Sequence, residues 1–148
     1  MYYFAYGSNL DVISMLERCP KAGVLQPGCL KGFRLGFTWH SNGWGCGVAD
    51  VVKSELDEVW GLVYSITDAD LEALDRYEGY PKCYGRSFAT IHTKDAMLEK
   101  VLIYTVCQKT EFVAPSRTYL DIIKRACVDY AFPDSYARML KTVKIIEG

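Results

Sequence analysis

Short apolar segments alternate with polar turns along most of the chain, in a pattern typical of β-strands. Six segments are rich in valine, isoleucine and aromatic residues, which are the residue types that strands favour. The predicted strands are Tyr2–Tyr6, Leu30–Trp39, Gly47–Val52, Glu58–Ile66, Ser87–Thr93 and Lys100–Cys107. Because most of them follow one another without an intervening helix, we expect a mixed or antiparallel sheet and not a strict βαβ order.

Apolar residues at helical spacing predict four helices between and after these strands. The predicted helices are Leu10–Arg18, Asp68–Glu78, Ser116–Phe132 and Asp134–Lys144. Together the two patterns predict an α+β fold, in which a small curled sheet or β-barrel is flanked by helices. Since no linker, repeat or low-complexity segment interrupts the pattern, residues 1–148 are predicted to form a single domain.

The second predicted helix has clear boundary signals. Thr67 or Asp68 suits the N-cap, Gly79 suits the left-handed position after the last turn, and Pro81 prevents further helix. At about 100° per residue, Glu78 shares the inward face of this helix with two leucines, Leu71 and Leu74. The side chains expected to lie off that face are Asp70, Glu72 and Arg76.

Glu78 is therefore a candidate for chemistry. Burial and the negative end of the helix dipole both disfavour an ionised carboxylate in the last turn, so the pKa of Glu78 is predicted to be raised. A carboxyl group of that kind can take up a proton and return it near neutral pH. The alternative is that Glu78 turns outward, or pairs with Lys82 or Arg86.

The first predicted strand breaks at Tyr6 into Gly7-Ser8-Asn9, directly before a helix. Such a turn exposes several backbone N–H groups at one place, which can bind a carboxylate or phosphate. The Ser8 and Asn9 side chains are expected either to cap the helix or to donate to a ligand. The plainer alternative is a helix cap without a ligand.

A second glycine-bearing loop, His40–Gly47, links two predicted strands and contains Trp44. It suits a long hairpin loop and a ligand-facing lip equally well.

Composition narrows the class of protein. The formal net charge of −1 argues against nucleic acid as a partner. No segment approaches the roughly 20 apolar residues of a membrane span, and the N-terminus lacks the pattern of a secretion signal. Six scattered cysteines without a CxxC pair predict free thiols in a reducing cytoplasm, and neither His40 nor His92 has metal-ligand spacing to them, so no metal site is expected.

Several motifs in this order resemble the gamma-glutamylcyclotransferase-like family. They cover residues 2 to about 120 and are Tyr6-Gly7-Ser8-Asn9-Leu10, Gly47-Val48-Ala49, Asp57-Glu58-Val59-Trp60-Gly61 and Leu74-Asp75-Arg76-Tyr77-Glu78-Gly79. The resemblance implies a mixed fold around a small, largely closed β-barrel. The last 25 residues carry no family motif.

The resemblance also implies roles for individual residues. The Tyr6–Leu10 turn would hold the glutamyl head group of a small-molecule substrate through the amides of Gly7, Ser8 and Asn9, and Glu78 would be the catalytic acid and base. Tyr104 and Tyr119 resemble pocket tyrosines of the family, with ordinary core aromatics as the alternative.

The implied reaction needs neither a cofactor nor an enzyme nucleophile. The free α-amine of a γ-glutamyl compound attacks its own γ-carbonyl, closes the five-membered 5-oxoproline ring and expels an amine. Glu78 would move both protons, and the acid limb of the activity profile is expected above about pH 5.

Other functions stay open at this stage. A tailoring enzyme that removes a γ-glutamyl group from a biosynthetic intermediate fits the same residues, and so does a binding module that has lost the chemistry. A Cys/His hydrolase is a third alternative, although no spacing selects its pair. The Tyr6–Leu10 turn resembles the turn of relatives that act on γ-glutamyl amino acids more than the turns of relatives specific for glutathione or γ-glutamyl-lysine.

The oligomeric state is also open. The aromatic content of 14% would permit a homodimer without demonstrating one.

Overall fold

Five strands close into a barrel in the computed structural model, which describes residues 1–146. In chain order they are β1 (Tyr2–Ala5), β2 (Gly23–Ser41), β3 (Cys46–Ser65), β4 (Tyr84–His92) and β5 (Met97–Val106). Around the barrel the order is β1-β3-β2-β4-β5, and only the β1–β5 pairing that closes it is parallel. The α+β barrel predicted from the sequence is confirmed.

The hairpin of β2 and β3 is longer than predicted. The predicted strands 47–52 and 58–66 are one strand of 20 residues, and β2 begins at Gly23 instead of Leu30. The ladder shifts register where Phe33 pairs with Lys53 and Lys31 pairs with Glu58, so the residues between Lys53 and Glu58 bulge out of it. This segment is largely exposed and therefore polar, which is why the apolar pattern appeared to end there.

Four α-helices pack around the barrel. They are α1 (Val12–Arg18), α2 (Asp68–Glu78), α3 (Arg117–Asp129) and α4 (Asp134–Lys141), and a short 3₁₀ turn covers Ser8–Leu10. The bounds of α2 are those predicted, whereas the other three are shorter. Within residues 1–146 no helix has the length and apolar character required to cross a membrane.

Helix α1 begins later than predicted because of its cap. The Asp11 side chain, and not that of Ser8 or Asn9, accepts from the Ser14 N–H at 3.4 Å and from the Ser14 hydroxyl at 3.0 Å. The predicted capping role of Ser8 and Asn9 is therefore wrong. Their side chains are left for other contacts, which lie at the candidate site.

Helix α2 is held at both ends by the predicted signals. The Thr67 hydroxyl accepts from the Asp70 N–H, and the Asp70 carboxylate accepts from the Thr67 N–H, which completes a capping box. Asp70 lies off the inward stripe, as expected, but these bonds bury it to 3% exposure. At the other end Gly79 takes the left-handed conformation at φ 68°, so the chain turns away immediately after Glu78.

Candidate active site

A small inner cavity opens at the point where β1 ends and α2 ends. It has a volume of about 30 Å³. Its lining residues are Tyr3, Phe4, Tyr6, Gly7, Ser8, Asn9, Ala49, Glu78, Tyr84, Tyr104 and Tyr119. Two separate predictions, the Gly7-Ser8-Asn9 turn and the inward glutamate, thus fall on the same cavity.

The inner cavity adjoins a larger outer groove of about 670 Å³. The two share Ser8, Glu78, Tyr84 and Tyr119, and the groove is further lined by residues that include Arg18, Trp39, Ser41, Trp44, Arg76, Tyr77 and Cys83. Glu78 therefore stands at the boundary between a small polar chamber and a wide open one. This arrangement suits a substrate with a compact head group and a variable remainder.

The turn after β1 presents free backbone donors to the inner cavity. The Leu10 N–H donates to the Gly7 carbonyl at 3.0 Å, which forms the 3₁₀ turn, but no backbone acceptor within residues 1–146 takes the N–H of Gly7, Ser8 or Asn9. The first N–H groups of a helical turn have no partner within the turn and favour negative charge. The three amides can therefore bind an anionic group in the cavity.

The side chains of the turn form hydrogen bonds that hold it in place. Asn9 is 2% exposed, and its Nδ2 donates to the Tyr3 hydroxyl at 2.9 Å while its Oδ1 accepts from Arg18 at 2.6 Å. The Ser8 hydroxyl shares a hydrogen bond of 2.8 Å with that of Tyr77. These bonds fix the orientation of the free amides.

Glu78 has the environment of a group that exchanges protons. It is partly buried against the inner cavity, and no group of the described residues donates a hydrogen bond to its carboxylate. Burial raises the pKa of Glu78 to about 7, against the opposing charge of Arg18. Neither alternative partner pairs with it, since Arg86 forms its ion pair with Asp75 and Lys82 forms no ion pair among the described residues.

Arg18 links the turn to α2. Its guanidinium donates to Asn9 and stacks 3.5 Å from the ring centre of Tyr77, one residue before Glu78. Sequence reasoning did not single out Arg18, because no local pattern shows that the end of α1 lies beside the distant Tyr77.

Tyrosine side chains form much of the cavity wall. The Tyr6 hydroxyl donates to the Tyr104 carbonyl at 2.6 Å, and the Tyr104 hydroxyl donates to Asp75 Oδ1 at 2.6 Å. Tyr104 lines the inner cavity, and its hydroxyl is anchored to α2, so its role toward a substrate stays a prediction.

Tyr119 and Tyr84 close the opposite wall through one residue of β3. The Tyr119 hydroxyl accepts from the Ala49 N–H at 2.9 Å, and the Tyr84 hydroxyl donates to the Ala49 carbonyl at 2.7 Å. Burial raises the pKa of both phenols, and those of Tyr6 and Tyr104, so all four stay neutral.

Leu10 is the predicted site residue that does not belong to the cavity. It is 3% exposed and packs in the core on the other side of the turn, because the 3₁₀ conformation directs it away from the amides. Conversely, sequence reasoning missed Tyr3 and Tyr84. Ala49 was not predicted as a site residue by itself, although the Gly47-Val48-Ala49 motif of the family contains it.

The loop predicted at His40–Gly47 is a hairpin loop, and its role as a ligand-facing lip stays a prediction. It is the tip of the β2–β3 hairpin, with the Gly45 N–H donating to the Ser41 carbonyl at 2.7 Å. It also lines the outer groove, where the Trp44 ring lies edge-on to Tyr119 at 5.0 Å between centres. Among the described residues, no three His, Cys, Asp or Glu side chains lie together as metal ligands.

The chain matches known proteins along nearly all of its length. A curated gamma-glutamylcyclotransferase from Bos taurus and one from Homo sapiens are each 30% identical to it, over 96% of this chain and 78% of theirs. A solved gamma-glutamyl cyclotransferase structure superposes with a TM-score of 0.91 at 28% identity, covering 100% of this chain and 90% of that one. The sequence model of the family described as "Gamma-glutamyl cyclotransferase, AIG2-like" matches residues 3–123, so the chain belongs to that family.

Proposed function

We propose that this protein is a gamma-glutamylcyclotransferase, which converts a γ-glutamyl compound into 5-oxoproline and a released amino acid or amine. The observation that carries the proposal is that Glu78, with a pKa of about 7, lines the same small cavity as the Gly7-Ser8-Asn9 turn with its free amides. The names of the curated relatives support the same activity.

The nucleophile of this reaction is part of the substrate. The nitrogen of the α-amine forms a bond to the γ-carbonyl carbon, and the bond from that carbon to the leaving nitrogen breaks. The enzyme has to hold the substrate folded, remove a proton from the α-ammonium and supply one to the leaving nitrogen. A cavity with oriented donors and one exchangeable carboxyl group can do all three.

We assign both proton transfers to Glu78. As a carboxylate it accepts the proton of the α-ammonium, and as a carboxylic acid it donates to the leaving nitrogen. A pKa of about 7 allows both forms near neutral pH, so neither transfer starts from a rare state.

We assign substrate orientation to the inner cavity and the outer groove together. The amides of the Gly7-Ser8-Asn9 turn hold the glutamyl head group in the inner cavity, and a donor facing the γ-carbonyl oxygen stabilises the charge that develops there. The leaving group occupies the outer groove, which the tip of the β2–β3 hairpin borders. A γ-glutamyl amino acid fits this division, and the outer groove also leaves room for a larger biosynthetic intermediate.

Further expectations concern the setting of the enzyme. All six cysteines are free thiols, which supports a reducing compartment such as the cytoplasm. The names of the curated relatives support a role in γ-glutamyl metabolism, including that of glutathione. A net charge of −1 gives no attraction to nucleic acid. We also expect residues 1–148 to act as a single domain.

The proposal is tested by mass-spectrometric detection of 5-oxoproline. The purified protein is incubated with γ-glutamyl amino acids, γ-glutamyl amines and glutathione, and we expect 5-oxoproline and the free leaving group in equal amounts from at least one class. The matched control is the same substrate with an acetylated α-amine, which has no nucleophile and should give no product. Release of glutamate instead of 5-oxoproline would point to a hydrolase, and unreacted substrates throughout would contradict the proposal.

The pH dependence of the reaction should follow the Glu78 carboxyl group. Below its pKa the group is protonated and cannot accept the proton of the α-ammonium, so kcat/KM should rise with pH and level off above about pH 7. A steady-state pH profile with the best substrate measures this limb. A limb centred near the ordinary glutamate pKa of about 4.3 would contradict the assignment of Glu78 as the base.

A further inference from the structure

Two of the six cysteines are accessible to solvent, unlike the other four. Cys107 is exposed and Cys83 is partly exposed, whereas Cys19, Cys29, Cys46 and Cys127 are buried. Burial raises the pKa of Cys19 and of Cys29 to about 11, so those thiols stay protonated and unreactive. Cys83 and Cys107 are therefore the thiols that a dissolved oxidant can oxidise.

These two cysteines occupy opposite positions at one end of the β4–β5 ladder. In that ladder Tyr84 is opposite Val106 and Gly85 is opposite Thr105, so one further step places Cys83 opposite Cys107. The Cys107 N–H donates to the Cys83 carbonyl at 3.0 Å, which extends the pairing to this position. Opposite residues of an antiparallel pair have their side chains on the same face.

The spacing of such a pair suits a disulfide. Opposite residues at a hydrogen-bonded position of an antiparallel ladder lie about 5.5 Å apart between Cα atoms, within the range of about 4.4–6.8 Å found for disulfides. The pair also lies where β4 begins, and the Cys83 N–H donates to the Gly79 carbonyl at 2.9 Å instead of to Cys107. This end of the ladder is therefore less constrained than its middle.

We propose that Cys83 and Cys107 form a redox-active dithiol, which a small disulfide compound oxidises to an intramolecular disulfide. The thiolate of exposed Cys107 attacks one sulfur of the oxidant and releases the first thiol. The thiolate of Cys83 then attacks the Cys107 sulfur of the mixed disulfide, forms the Cys83–Cys107 bond and releases the second thiol. Two protein thiols are oxidised, one disulfide compound is reduced to two thiols, and the two protons pass from the cysteines to the released thiols.

The pair borders the candidate active site. Cys83 lines the outer groove, and a Cβ atom built on Gly79 would lie 3.1 Å from its Sγ atom, which shows that the thiol packs against the residue that follows Glu78. The Cys107 thiol lies on the outside, where it donates to the Pro81 carbonyl at 3.3 Å. Forming the disulfide draws the Cys83 sulfur from Gly79 toward β5, and so changes the groove wall next to Glu78.

The test uses native protein and 2-hydroxyethyl disulfide, an oxidant without a γ-glutamyl group, so its outcome does not depend on the proposed enzyme activity. Intact mass spectrometry should show a loss of about 2 Da, restored by reductant, and peptide mapping should link Cys83 to Cys107. The variant C83S should instead gain about 76 Da as a stable mixed disulfide at Cys107. C83A provides the same test with a second replacement.

A matched control is C127S, which removes a buried thiol and should still lose about 2 Da, as the wild type does. Circular dichroism establishes that each variant is folded. A folded wild type that accumulates the adduct at Cys107 without a cross-link, or that cross-links a different pair, would overturn the proposal.

Discussion

Replacement of Glu78 with glutamine is expected to lower kcat by about 10²-fold or more, the usual minimum for loss of a general base. Glutamine keeps the size and shape of the side chain at the boundary of the inner cavity and the outer groove, but it cannot accept a proton from the α-ammonium. Binding through the amides of the turn is left intact, so KM should change little. Steady-state kinetics with the best γ-glutamyl substrate measures both parameters.

The matched control is E72Q on the same helix. Glu72 is exposed and outside both chambers, so this variant should keep wild-type kcat. Near-normal turnover by E78Q would remove Glu78 from the mechanism.

E78Q should lose activity without losing stability at pH 8. A carboxyl group whose pKa is raised on folding favours the folded state while it is protonated, below about pH 4.5, and loses that contribution as pH rises through about 7. At pH 8 the wild type therefore carries an unfavourable buried charge that glutamine lacks. Thermal unfolding at pH 8 should show E78Q to be at least as stable as the wild type, which separates loss of chemistry from loss of fold.

Replacement of Gly7 with valine is expected to abolish binding of the glutamyl head group, with KM raised by about 10²-fold or more, equivalent to about 2.7 kcal/mol. A Cβ atom at this position would lie 2.9 Å from the Tyr119 hydroxyl and 3.1 Å from the Ala49 Cβ. A branched side chain would fill the inner cavity and displace the tyrosine wall.

G85V is a suitable control for this variant. Its nearest contact would be the Cys107 Sγ atom at 3.5 Å, an ordinary separation, and Gly85 lines neither chamber. Valine also suits a strand, so G85V should fold and bind substrate normally. An unchanged KM for a folded G7V would show that the turn only shapes the chain and does not hold the substrate.

The sequence predicted those parts of the molecule that depend on neighbouring residues. The bounds of α2 were correct because the capping box at Thr67 and the left-handed Gly79 act within a few residues of each end. The merging of two predicted strands into β3 was missed, because the polar residues after Lys53 belong to a bulge whose partner is fixed by the distant β2. Local patterns report a bulge of this kind as the end of a strand.

The candidate site was predictable only in part for the same reason. Glu78 and the Gly7-Ser8-Asn9 turn were identified because an inward carboxylate and a glycine-bearing turn both depart from the surrounding apolar pattern. Tyr3 and Tyr84 were missed, since an aromatic residue in a strand has the same pattern whether it faces a packed core or a cavity. Only barrel closure decides between these environments.

The pairing of β1 with β3 and β5 also determines how much of the chain must be synthesised before the active site can form. Strand β1 is the first to be made, yet Tyr2 pairs with Ser65 and Tyr3 with Leu102, and the cavity wall is completed only by Tyr119. Contacts between such distant positions delay folding, because the intervening chain must be ordered first. A ribosome-bound chain shorter than about 120 residues therefore lacks part of the site, and β1 stays an unpaired edge until β3 and β5 have emerged.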